Sequence, residues 1–67
     1  MRDWLKESRI KNGLSGREMA KKIGITEGYY SLIESGERQK KMDSTMIMKL
    51  SLVLGVPTQQ IVEYENI

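Results

Sequence analysis

Residues 15–36 read SGREMAKKIGITEGYYSLIESG. Ser15 can cap a helix, and Glu18, three residues later, can reach back to the cap's own amide, which makes an S-x-x-E capping box. Met19, Ala20 and Ile23 then recur at helical spacing, and Gly24 stops the run. Ile25 follows, Thr26 is an N-cap for the next segment, Tyr30 and Ile33 lie three apart on one face, and Gly36 closes it. The stretch is two short helices joined by a glycine turn, with the small Ala20 where their backbones can approach.

Working outward, the first segment runs from about Arg2 to Asn12 and stops at Gly13. It places Leu5 and Ser8 three apart among charged residues, with Trp4 and Ile10 on its apolar edge. Residues 37–42 form a polar linker carrying Arg38, Lys40 and Lys41. Asp43 or Ser44 can cap a fourth helix, in which Ile47, Leu50, Ser51 and Leu54 make an i, i+3, i+4, i+7 face before Gly55. Pro57 and Thr58 start a short fifth helix with Ile61 and Val62. No segment reads as a strand, and short connections require close, steeply crossed packing. The expectation is an all-α fold, a compact five-helix bundle in one domain over residues 1–67.

Composition narrows the chemistry. The 67 residues include no cysteine, so neither disulfides nor thiolate metal sites stabilise the chain, and a reducing compartment, the cytoplasm, fits. No histidine is present, which removes the commonest general base and metal ligand. Without it Ser15, Ser31 and Ser35 have no activating partner, so an enzyme is not expected. The apolar runs are too short to span a bilayer, and Arg2 and Asp3 at the amino end do not make a signal-peptide pattern. Residues 1–41 hold ten Lys/Arg against six Asp/Glu, net +4, and residues 42–67 hold one against three, net −2. Such asymmetry suits a polyanion-facing part and a supporting part, although ordinary solubility produces the same surplus.

The order of motifs is more specific. Arg9 with Gly13-Leu14-Ser15, Met19-Ala20 with Ile23-Gly24-Ile25, Ile33-Glu34 with Gly36 and Arg38, and Leu54-Gly55-Val56 resemble the helix-turn-helix family of phage repressor and Cro proteins, the XRE family. The resemblance spans Leu5 to Val62. It departs from the pattern after Gly36, where the connection is longer and lacks the usual proline. It implies the fold of lambda repressor-like DNA-binding domains, with the third helix in the major groove. Thr26, Glu27, Gly28, Tyr29 and Leu32 would then meet base edges. Ser15, Gly16, Arg17, Ser35, Arg38, Lys40 and Lys41 would meet phosphates, while Arg9 and Glu34 would form an internal salt bridge. No cofactor, metal or small-molecule ligand is implied.

Three positions weaken that picture. The family's second helix usually opens with a phosphate-binding glutamine, and here Gly16 stands in its place. Glu27 either accepts from a cytosine amino group or is an ordinary acidic residue in a helix's first turn. Gly28 leaves its base pair to close approach or DNA shape. Tyr30 should face the core and Tyr29, rotated by about 100° on a helix, the outer side. Met19 reads as core, and Met46 and Met48 as bordering it. An apolar rim on the last two helices with Ile61, Val62 and Ile67 would suit a dimer. The expectation is a homodimeric repressor on double-stranded DNA. The alternative is a protein-interaction module, such as an antitoxin or anti-repressor partner, that kept the fold.

Overall fold

The computed structural model describes residues 1–66. Five helices follow one another: α1 (Asp3–Lys11), α2 (Gly16–Ile23), α3 (Glu27–Ser35), α4 (Ser44–Leu54) and α5 (Thr58–Glu65). There is no strand among the described residues, so the fold is all-α.

Local chemistry sets most of the boundaries. The capping box of α2 is complete, with the Glu18 amide donating to Ser15 Oγ at 3.0 Å and the Ser15 amide donating to Glu18 Oε1 at 2.9 Å. The Thr26 hydroxyl accepts from the Tyr29 amide at 3.1 Å, and Asp43, not Ser44, caps α4 by accepting from Met46 at 2.8 Å. Gly24 turns the chain between α2 and α3 at φ 76°, a left-handed conformation that costs glycine little. The Ile25 amide then reaches back to the Ala20 carbonyl at 3.0 Å, closing a Schellman motif.

α2 packs on α3, α4 on both α2 and α5, and α1 on α3. α4 and α5 meet at a bend of 119°. One apolar cluster joins Leu5, Met19, Ala20, Ile23, Tyr30, Ile33, Met42, Met46, Leu50, Leu54 and Ile61. No described helix is long and apolar enough to cross a membrane.

Several expected faces need correction. Ile10 is exposed, because it sits five residues, about 140°, around α1 from buried Leu5. Met48 is exposed as well, since it lies two residues from buried Met46 and so on the far side of α4. The connection after Gly36 is not wholly polar, because Met42 is buried against the core. Ile67, expected on the apolar rim, lies outside the described residues.

Arg2 departs furthest from its sequence reading. Its side chain is 8% exposed and pairs with Glu65 at 2.9 Å. Its Nη1 donates to the carbonyls of Ile33 at 2.5 Å and Arg38 at 3.0 Å, and its Nη2 donates to that of Gln39. A guanidinium with five N–H donors can be buried only where that many acceptors converge, and the chain supplies them from α3, the following loop and α5. Trp4 completes the corner, stacking on Tyr64 with ring centroids 5.1 Å apart and donating its indole N–H to Glu65 Oε2 at 2.8 Å.

Candidate nucleic-acid interface

The outer side of α3 follows from its period. Tyr30 and Ile33 are buried, so the face about 180° away carries Gly28, Ser31, Leu32 and Ser35. Thr26, Glu27, Gly28 and Ser31 are exposed, while Leu32 and Ser35 are half-buried. The Ser35 hydroxyl donates to the Leu32 carbonyl at 2.9 Å and accepts from the Glu37 amide. The Thr26 hydroxyl oxygen is occupied by its capping bond, which leaves its proton free to donate.

A groove lies between the Ser31 and Ser35 edge of this face and the amino end of α2, and Met1, Arg9, Gly16, Glu27, Tyr30 and Glu34 complete its lining. At the first positions of a helix the backbone amides have no intrahelical acceptor. Gly16 carries no side chain to shield its own amide or that of Arg17. A Cβ built at Gly16 would sit 3.9 Å from the Tyr30 ring, so the groove wall would accept a side chain there in ordinary contact. Together the free amides and the helix dipole favour an anion at this end of the groove.

Beneath the groove, Arg9 fixes how α1, α2 and α3 meet. Its Nε and Nη2 donate to the two carboxylate oxygens of Glu34 at 3.0 and 3.2 Å, a bidentate pair. Its Nη1 donates to the Leu14 carbonyl, just before α2, at 2.8 Å. The Tyr30 hydroxyl donates to Glu34 Oε2 at 2.6 Å. Burial opposes the Glu34 charge, but the Arg9 guanidinium and the Tyr30 hydroxyl outweigh it and hold the carboxyl below the usual range. Burial and then the Glu34 carboxylate keep the Tyr30 phenol protonated well above its ordinary value. Arg9 and Glu34 satisfy each other and keep only slight contact with solvent: their side chains are 13% and 12% exposed.

The remaining expected contacts separate into two places. Ser15, Arg17 and Arg38 are exposed around the groove's helices. Lys40 and Lys41 instead line a separate depression with Met42, Ile47, Val62 and Glu65, so the linker's charges are not gathered on the recognition helix.

Tyr29 is not on the outer face. It is half-buried and packs against the core, and its hydroxyl accepts from Gln39 Nε2 at 3.1 Å. The helical period places it there, four residues and about 40° around α3 from buried Ile33, and Gln39 of the loop after Gly36 bonds its hydroxyl on that flank. Ser31 takes the open position that Tyr29 leaves. Its place three residues after Gly28 and four before Ser35 was available from helical spacing alone.

No group of three or more His, Cys, Asp or Glu residues among those described could hold a metal ion. The helix-turn-helix family model matches residues 5–61. An uncharacterised HTH-type transcriptional regulator of Bacillus subtilis (strain 168), YqaF, is 44% identical over 39 residues, 58% of this chain and 51% of that protein. The chain's match thus spans about half the length of that curated relative. No solved structure matches. The family match covers every element of the core from Leu5 on α1 to Ile61 on α5, and the chain belongs to the XRE-type helix-turn-helix family.

Proposed function

We propose that the protein is a sequence-specific DNA-binding transcriptional regulator that acts in the cytoplasm, a repressor occupying a pseudo-palindromic operator as a homodimer. The observation that carries this reading is the groove in which the open face of α3 and the unshielded amino end of α2 lie side by side. A major groove about 12 Å wide admits one helix, and the α2 amides beside it would take a phosphate. Thr26, Glu27, Gly28, Ser31 and Leu32 are the base-facing set, with Tyr29 reaching the duplex only from the flank. Ser15, Gly16, Arg17, Ser35 and Arg38 serve the backbone, and Lys40 and Lys41 extend the basic surface toward α5.

Size argues for two copies. The longest extent of the molecule is 26 Å, less than the roughly 34 to 36 Å separating successive major-groove half-sites. One copy therefore reads one half-site.

Selection of bound duplexes from a random pool tests this reading directly. Recovery of a two-fold-related motif with that spacing is expected, and a pool that shows no enrichment overturns it. On a selected duplex, Arg38→Ala should weaken binding alike on all sequences and lower the salt slope by about 0.9 per protomer. The backbone carbonyl of Arg38, not its exposed side chain, holds the loop to Arg2, so truncation leaves the loop in place.

A protein-interaction module is the second reading, and Glu27 favours it, since an exposed carboxylate at the head of α3 repels phosphate. Binding to random duplex that does not fall steeply with salt would support the module over the regulator.

A further inference from the structure

The loop between α3 and α4 carries a feature that DNA contact alone does not use. Gln39 has φ 53°, the one positive value outside glycine among the described residues, and side chains adopt that conformation uncommonly. Its carbonyl and both side-chain polar atoms are engaged. Its Nε2 donates to the Tyr29 hydroxyl at 3.1 Å, its Oε1 accepts from the Asp43 amide at 3.1 Å, and its carbonyl accepts from Arg2. Arg2 is in turn anchored to Glu65 on α5. One residue thus joins the recognition helix, the N-cap of α4 and the amino-terminal corner. Such a conformation persists only where its surroundings over-determine it.

We propose that Gln39 is a positioning residue for DNA reading, which holds the Tyr29 ring along the flank of α3 so that the helix and the Arg38 loop meet the duplex as one rigid unit. The inference rests on the DNA-binding reading above. Without the Gln39 bond the Tyr29 hydroxyl loses its partner and the ring is free to swing toward the open face beside Gly28, while the Glu37 and Arg38 amides still hold the start of the loop to the Leu32 carbonyl. Because Gln39 is uncharged, it acts on geometry and not on phosphate neutralisation.

Gln39→Gly separates positioning from plain stability. Glycine adopts the left-handed backbone without penalty, so the variant keeps the turn while deleting both side-chain bonds. Gln39→Asn does the same by another route, since asparagine tolerates this conformation and is one methylene shorter. Affinity for a selected duplex is read by fluorescence anisotropy over a salt series, with thermal unfolding followed by circular dichroism. The expected result is a melting temperature close to wild type, binding weaker by about threefold to tenfold, as loss of a neutral hydrogen bond implies, and an unchanged salt slope. Tyr29→Phe should weaken binding comparably, and the double variant Tyr29→Phe with Gln39→Gly should be no worse than the weaker single variant, because both remove the same link. Wild-type affinity in Gln39→Gly and Gln39→Asn, or losses that multiply in the double variant, overturns the inference while leaving the DNA reading intact. A wild-type protein with no salt-sensitive duplex binding overturns both.

Discussion

At the scale of residues, the pair under the groove governs response to acid. Glu34 sits below its ordinary value in the folded protein because the bonds from Arg9 and Tyr30 outweigh its burial. Between the folded value and the unfolded value of about 4.3, the unfolded chain binds more protons. Stability therefore rises with pH through that window, and the contribution, complete above it, is lost as pH falls through the folded value. Glu34→Gln leaves Arg9 without its counter-charge. It should cost about 2 kcal/mol at neutral pH, less than the roughly 3 to 5 kcal/mol of a fully buried pair because both side chains keep some contact with water. Urea unfolding at pH 7 and pH 3 checks both parts: wild type should lose more stability on acidification than the variant. Glu27 carries a residue-scale prediction about specificity. If its carboxylate accepts from a cytosine amino group, Glu27→Gln should change the preferred base pair at one operator position, and a uniform loss on all duplexes would remove Glu27 from the reading set.

At the scale of elements, α2, α3 and α4 each start on a side-chain bond that spans three residues, which is why their caps were legible. Ser15, Thr26 and Asp43 accept from the amides of Glu18, Tyr29 and Met46, as helix starts of this composition require. Within α3, Gly28 stands out. A Cβ there meets nothing within 4 Å, and glycine inside a helix is less stable than alanine by about 0.5–1 kcal/mol. Gly28→Ala should therefore raise the melting temperature by a few degrees, given roughly 4–8 °C per kcal/mol for a domain of this size. If the duplex is read by close approach at this position, the same variant should bind it less tightly. A gain in stability with a loss of affinity identifies a contact surface. Affinity that rises or holds would place Gly28 away from the bases.

At the scale of the whole molecule, the surface left for a second copy differs from the expected rim. Ile61 is fully buried, whereas Met48, Leu52 and Val62 are exposed, Leu52 to 82%. Met48 and Leu52, exposed one turn apart on α4, are the apolar pair through which we propose that a second copy docks. Leu52→Lys removes no core contact and should leave the melting temperature of the isolated chain nearly unchanged, since an exposed substitution moves stability by about 0.5 kcal/mol or less. It should instead shift the sedimentation profile to monomer and weaken binding to a two-half-site duplex far more than to a single half-site. Unaltered self-association would place the interface elsewhere.

The sequence by itself determined five helices, their order and the caps at Ser15 and Thr26. Those features depend on the helical period and on capping bonds that stay within a few residues. Family resemblance further marked Arg9 and Glu34, 25 positions apart, where spacing alone could not pair them. Tertiary structure decided what depends on the path of the loop after Gly36. It gave the Tyr29 hydroxyl a partner in Gln39, buried Met42 and turned Lys40 and Lys41 toward α5. It also gave Arg2 a partner 63 positions away in Glu65. A charged residue near a chain end reads as solvated in any local pattern. It can be buried only where distant carbonyls and a carboxylate converge on one guanidinium, and no local period records that convergence.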